Sequence, residues 1–126
     1  MQSTEPSRML ACPCCGLPTL SAYGDYEICT ICWWEDDGQN DVTADTVRGG
    51  PNGKYSLAGA RANFASHGHM YDKGKGIVVV EHPIPERLVL LDYVRAVLAG
   101  AQPLDEAKLR ALIVADSEAR DATDDD

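Results

Sequence analysis

The stretch CPCCGLPTLSAYGDYEICTICWWEDD, residues 12–37, decides how this chain is read. It holds all five cysteines and both tryptophans. Cys12 and Cys15 form one C-x-x-C pair, Cys29 and Cys32 form another, and residues 16–28 separate them. Two such pairs, brought together by a short hairpin, predict one tetrahedral site of four thiolates, the donor set of a structural Zn²⁺. Cys12-Pro13-Cys14-Cys15-Gly16 has the form of a zinc knuckle, where a tight turn aims backbone N–H groups at the sulfurs. Gly16 can take the positive φ that closes such a turn. The competing readings are two reduced, buried pairs without metal and a redox dithiol. A rubredoxin-like iron site would use the same donors, although its pairs usually stand further apart.

Cys14 is the odd thiol, because four sulfurs fill a tetrahedral site. It is a small half-buried filler, a reactive thiol activated by the metal, or an alternate ligand in place of Cys12. Between the pairs, Leu17 to Ile28 alternates weakly, and Gly24-Asp25 signals a turn. The pattern predicts a hairpin that carries the knuckles at one end. Trp33 and Trp34 follow the second knuckle directly, so an extended segment would point them to opposite faces. One would roof the metal core and the other would remain exposed or pack elsewhere. With Glu35, Asp36 and Asp37 they form the candidate partner-binding stretch, displayed from a rigid metal base. The bland reading makes both tryptophans roof and the acids a solvated face.

Further along, residues 36–45 (DDGQNDVTAD) form a polar loop without the bidentate Glu of a calcium site. Residues 49–54 (GGPNGK) lack the residues of a phosphate loop and read as a turn feeding a helix. Ser56 is a good N-cap for a helix Leu57–His67 with Gly68 just past its end, and Leu57, Ala60 and Phe64 share one face. The β-branched run Ile77–Val80 predicts a buried strand. A helix over residues 86–99 follows, with Leu88, Leu91, Val94 and Leu98 on one side, widened by Leu90 and Val97. A second helix, opened by Pro103 and running to about Ala119, carries Leu109, Leu112 and Ile113. The short link makes the two an antiparallel helical hairpin.

The strings CPCCG-x-x-TL, YEIC-x-x-CWWEDDG and GGPNG-x-x-SL-x-x-AR-x-NF, spanning Cys12 to Gly68, resemble the bacterial cysteine-rich CPCC proteins. Many relatives carry an aliphatic residue or Phe where Trp33 stands. The resemblance implies a small zinc-ribbon-like protein, brings no established reaction, and suggests an accessory role such as that of an immunity protein beside a toxin. It says little about residues 70–126.

The expected fold is therefore small and α+β: a four-cysteine zinc-ribbon-like hairpin packed with a helix, a short strand and a C-terminal helical hairpin. Its expected parts are a flexible tail (1–10), the cysteine module (11–70), a strand with two helices (71–120) and an acidic tail (121–126). Net charge is −9 and pI about 4.6, which disfavours a nucleic-acid-associated zinc ribbon, since phosphate backbones need clustered Lys and Arg. An acidic chain suits a protein partner with a basic surface, such as a toxin. The N-terminus has no apolar signal core, and the longest apolar runs are far too short for a bilayer, so a cytoplasmic, membrane-free location is expected. Five cysteines there point to thiolate ligands, not disulfides. No nucleophile–base pair stands out, His67, His69 and His82 read as surface histidines before a second metal site, and a closed four-thiolate centre argues against an enzyme. The apolar surface of the two helices predicts a homodimer through the helical hairpin, unless the strand Ile77–Val80 and the helix Leu57–His67 cover it within one chain.

Overall fold

Two cysteines three residues apart need a turn between them, and the chain makes that turn twice. The first closes Leu10–Ala11 (β1) onto Pro18–Leu20 (β2) as an antiparallel pair, with Leu10 opposite Leu20 and an irregular register. The second closes a single antiparallel bridge between Ile28 and Glu35. This differs from the expected hairpin over Leu17–Ile28, in which one pair of strands would carry both knuckles. Each knuckle instead sits at the tip of its own short hairpin, because the turn's internal hydrogen bonds align the residues just before and after it. The computed structural model describes residues 9–74 and 76–124. It is α+β and divides into two units, one ending at Asp72 and the other beginning at Lys73.

In the first unit the loop after the second knuckle passes through two short 3₁₀ turns, Asp41–Thr43 and Gly50–Asn52. It then enters helix α1, Leu57–His67. The Ser56 side chain accepts from Gly59 N, and Gly68 closes the other end at φ +87° with its N–H bonded to Phe64 O. Leu57, Ala60 and Phe64 are the buried face, as their spacing predicts. They share a core with Leu17, Leu20, Ile31, Trp34, Tyr55 and Met70. Fully burying side chains such as Leu20, Ile31 and Leu57 stabilises by about 1.5–3 kcal/mol each.

The second unit overturns one expectation. Ile77–Val80 is not a buried strand: Ile77 caps a short helix α2, Val78–Glu81, and Val78 is 68% exposed. No strand lies beside it among the described residues, and β-branched residues favour a strand only where a neighbour completes the ladder. Helix α3, Pro85–Leu98, packs on helix α4, Glu106–Asp124. Helix α4 begins later than Pro103 because Asp105 caps it, accepting from Lys108 N and Leu109 N. It continues past Ala119, through most of the expected acidic tail.

The buried face of α3 also departs from expectation. Arg87, Leu90, Tyr93 and Val94 point inward, while Leu88 and Leu98 are exposed. A buried ion cluster turns the helix: Asp116 of α4 lies 3.6 Å from Arg87 and 3.2 Å from Arg120. Asp116 is 1% exposed and Arg87 3%. A charge buried this deeply needs its partner, so the pair dictates which stripe of α3 faces α4. Of the expected tails, 1–10 and 121–126, Leu10 belongs to β1 and residues 121–124 to α4, while residues 1–8 and 125–126 lie outside the described residues.

Candidate metal centre

The two knuckles are copies of one another, offset by seventeen residues. In the first, Cys12 N donates to Leu17 O, Gly16 N to Cys12 O, and Cys14 N to Cys12 Sγ at 3.4 Å. In the second, Cys29 N donates to Trp34 O, Trp33 N to Cys29 O, and Ile31 N to Cys29 Sγ at 3.3 Å. The residue after each second cysteine must take a left-handed conformation. Gly16 does so at φ +81° and Trp33 at φ +75°. For tryptophan that conformation is costly, and the hydrogen bonds of the turn hold it.

This correspondence also places the neighbours. Trp34 occupies the position of Leu17, and both are buried core residues. Cys14 stands where Ile31 stands, 8% exposed against 0%, so the fifth thiol takes a small hydrophobe's place beside the cluster.

The Sγ atoms of Cys12, Cys15, Cys29 and Cys32 all lie within 4.8 Å of one another, and all four residues are buried. Cys12 and Cys32 approach to 3.6 Å, as do Cys15 and Cys29. A tetrahedral ion with metal–sulfur bonds of about 2.3 Å has sulfur–sulfur edges of ~3.8 Å, so the donor set fits such an ion. Thr19 Oγ1 donates to Cys29 Sγ at 3.1 Å, and Cys32 N donates to the same sulfur at 3.5 Å.

The thiols do not ionise independently. Burial opposes the charge on Cys29, but hydrogen bonds from Cys12, Cys15, Cys32 and Thr19 outweigh it and bring this thiol well below its ordinary value. Burial raises Cys32 well above it, and its hydrogen-bonded thiol neighbours add to the effect. Cys15 is raised chiefly by its hydrogen bonds with Cys12 and Cys29. A dication bound by the set would favour the thiolate form of every ligand and displace the thiol protons.

The acidic stretch is placed differently from the expectation. Asp36 is 1% exposed and Asp37 9%, so neither is displayed. Asp36 Oδ2 accepts from Gly24 N at 2.7 Å and Oδ1 from Gly38 N at 3.2 Å. Asp37 accepts from both Gln39 N and Gln39 Nε2. The loop's own N–H groups need acceptors once folded inward, and these carboxylates supply them. Trp34 is fully buried, and only Trp33 and Glu35 remain half-exposed.

Residues without an evident role in the sequence support this arrangement. The Asn52 side chain pairs with the backbone of Glu35 through both its oxygen and its nitrogen, imitating a strand neighbour. Arg61 Nε donates to Pro13 O at 2.8 Å and ties α1 to the first knuckle. Met70 N donates to Cys32 O and ties the end of α1 to the second. His67 and His69 sit with ring centroids 4.5 Å apart and bond to the backbone of Tyr71, while His82 lies in the other unit.

A model of the cysteine-rich CPCC proteins matches residues 10–85, a span that runs from the first knuckle past Asn52 and Arg61. The chain belongs to the cysteine-rich CPCC family. The match includes α2 and stops at the start of α3, so most of the helical pair lies outside it. No curated protein and no solved structure matches the chain. No helix among the described residues is long and apolar enough to cross a membrane.

Proposed function

We propose that Cys12, Cys15, Cys29 and Cys32 hold one Zn²⁺ as a structural centre, and that the protein works by binding another protein. The observation that carries the reading is the buried set of four sulfurs, all within 4.8 Å, at the tips of two matched knuckles. Four thiolates close the coordination shell, leaving no position for an activated water, so the centre is not catalytic. Its contribution is folding energy for a unit with little regular secondary structure. The net charge of −9 favours a basic partner over nucleic acid. An inhibitor, such as an immunity protein that neutralises a toxin, is the form of this role that we propose. Trp33 and Glu35 are the parts of the expected contact stretch still available to a partner; Asp36 and Asp37 serve the loop.

Elemental analysis of the purified chain and of single Cys→Ser variants tests the metal centre. One zinc per chain is expected, lost in the Cys12, Cys15, Cys29 or Cys32 variants and kept in Cys14→Ser. A red protein containing iron, or metal loss confined to Cys14→Ser, would refute it. Affinity capture with the intact chain, at low and high salt, tests the partner.

A further inference from the structure

The first arm of the second hairpin carries a tyrosine where the backbone suits glycine. Asp36 O accepts from Tyr26 N and Asp36 N donates to Glu27 O, both at 2.9 Å, so two residues of this arm stand opposite one. That is a β-bulge, and its first residue, Tyr26, has φ +61°. Glycine takes this conformation without strain, and tyrosine does not. The ring returns little to the fold, because Tyr26 is 58% exposed. Two residues on, Ile28 is 54% exposed and pairs directly with Glu35 across the hairpin. The inward side of the same hairpin is closed, since Cys29, Trp34 and Asp36 are buried. Backbone strain that the fold does not need, beneath an exposed aromatic ring, points to a surface used for contact.

Charge decides the occupant. From residue 9 to residue 47 the chain has Asp and Glu side chains but no Lys or Arg. The next three cations are engaged elsewhere: Arg48 donates to Asp37 O, Lys54 pairs with Asp72 at 2.8 Å, and Arg61 pairs with Asp41 at 2.7 Å. Glu27 serves Ser21 and Ala22, whereas the exposed Asp25 and the half-exposed Glu35 have no ion-pair partner among the described residues. We infer that Tyr26, Ile28 and Glu35 form the contact face for a Lys- or Arg-bearing segment of the partner protein, its cations drawn to Glu35 and Asp25 and its apolar stems laid on Tyr26 and Ile28. This deepens the proposed protein-binding role and rests on it. A second copy is not the occupant, because the same acidic face would then meet itself.

The test is a ¹⁵N-labelled full chain, its metal content recorded, titrated at low and high salt with the end-capped basic peptide KRLRK and its acidic counterpart EELEE. Saturable shifts of the Tyr26, Glu27, Ile28 and Glu35 backbone signals are expected with KRLRK at low salt, weaker at high salt, and none with EELEE. Tyr26→Gly should weaken KRLRK binding at least about fivefold while the urea midpoint of the cysteine unit stays or rises, because the strain leaves with the ring. A tyrosine that merely held the hairpin would lose stability along with binding. Glu35→Gln should weaken binding at low salt and change little at high salt. Saturable shifts centred outside the second hairpin would overturn this face and leave the protein-partner reading standing. No saturable shift with KRLRK at low salt would overturn both. Binding undiminished by Tyr26→Gly or, at low salt, by Glu35→Gln would also overturn the inference, as would a lowered urea midpoint in Tyr26→Gly.

Discussion

Asp36→Asn is isosteric and removes a single charge, yet it should damage the cysteine unit severely. Asp36 is 1% exposed, and its two oxygens accept separate backbone N–H groups, from Gly24 at 2.7 Å and Gly38 at 3.2 Å. Asparagine has one oxygen. Whichever way it turns, its NH₂ meets one of those N–H donors, and a hydrogen bond to a charged acceptor is replaced by a buried donor without a partner. Hydrogen bonds to charged groups contribute about 1.5–3 kcal/mol, and an orphaned buried donor costs ~1–3 kcal/mol. Some of that is one effect seen twice, so the expected loss is about 2–4 kcal/mol. In a domain of this size it lowers Tm by roughly 10–20 °C. Glu35→Gln is the control: Glu35 meets the fold through its backbone, bonded to Asn52, and should change stability by less than about 0.5 kcal/mol. Both tryptophans lie in this unit, so their fluorescence during urea or thermal unfolding reports on it alone. If the two substitutions shift the transition equally, the carboxylate does not hold the loop. If Asp36→Asn does unfold the unit, weakened partner binding in that variant is no evidence of a contact.

Four further outcomes follow from the geometry. Gly16→Ala should cost about 1–2 kcal/mol by urea unfolding, because φ is +81° and a Cβ there would meet nothing within 4 Å, leaving backbone strain as the whole effect. Asp116→Ala removes the buried carboxylate beside Arg87 and Arg120 and should cost about 3–5 kcal/mol, followed as loss of α3 and α4 by circular dichroism. Glu27 accepts from Ser21 N, Ser21 Oγ and Ala22 N, which holds its carboxyl below the ordinary 4.5. Its contribution is complete above the unfolded value and disappears as pH falls through the lower folded one, so its NMR titration midpoint should lie below 4.5 and Glu27→Gln should flatten the acid limb of stability. We propose a homodimer through the helical pair, on the exposed Leu88, Val89, Leu98 and Val114; light scattering that returns 13.6 kDa at high concentration would exclude it.

The sequence by itself determined what depends on local chemistry. The spacing of Cys12, Cys15, Cys29 and Cys32 announces one cluster of four sulfurs able to hold a metal, because a C-x-x-C turn can close only a few ways. Ser56 and Gly68 mark the ends of α1 to the residue because caps act within four residues of chain. The match of the two knuckles was partly legible too, since both have cysteines three apart. It was obscured because Trp33 stands where the first knuckle has Gly16, and tryptophan does not announce a positive φ. The rest needed the tertiary structure. Nothing in a run of Glu35, Asp36 and Asp37 separates a solvated face from buried carboxylates, because one of the N–H groups that donate to Asp36 comes from Gly24, twelve residues away. Ile77–Val80 has the composition of a strand, but a strand exists only where another chain segment pairs with it. The face that α3 buries was hidden for the same reason: Arg87 turns inward beside Asp116, an opposite charge that another helix supplies. Hydrophobic periodicity records what one helix prefers, and a buried ion pair is a property of two.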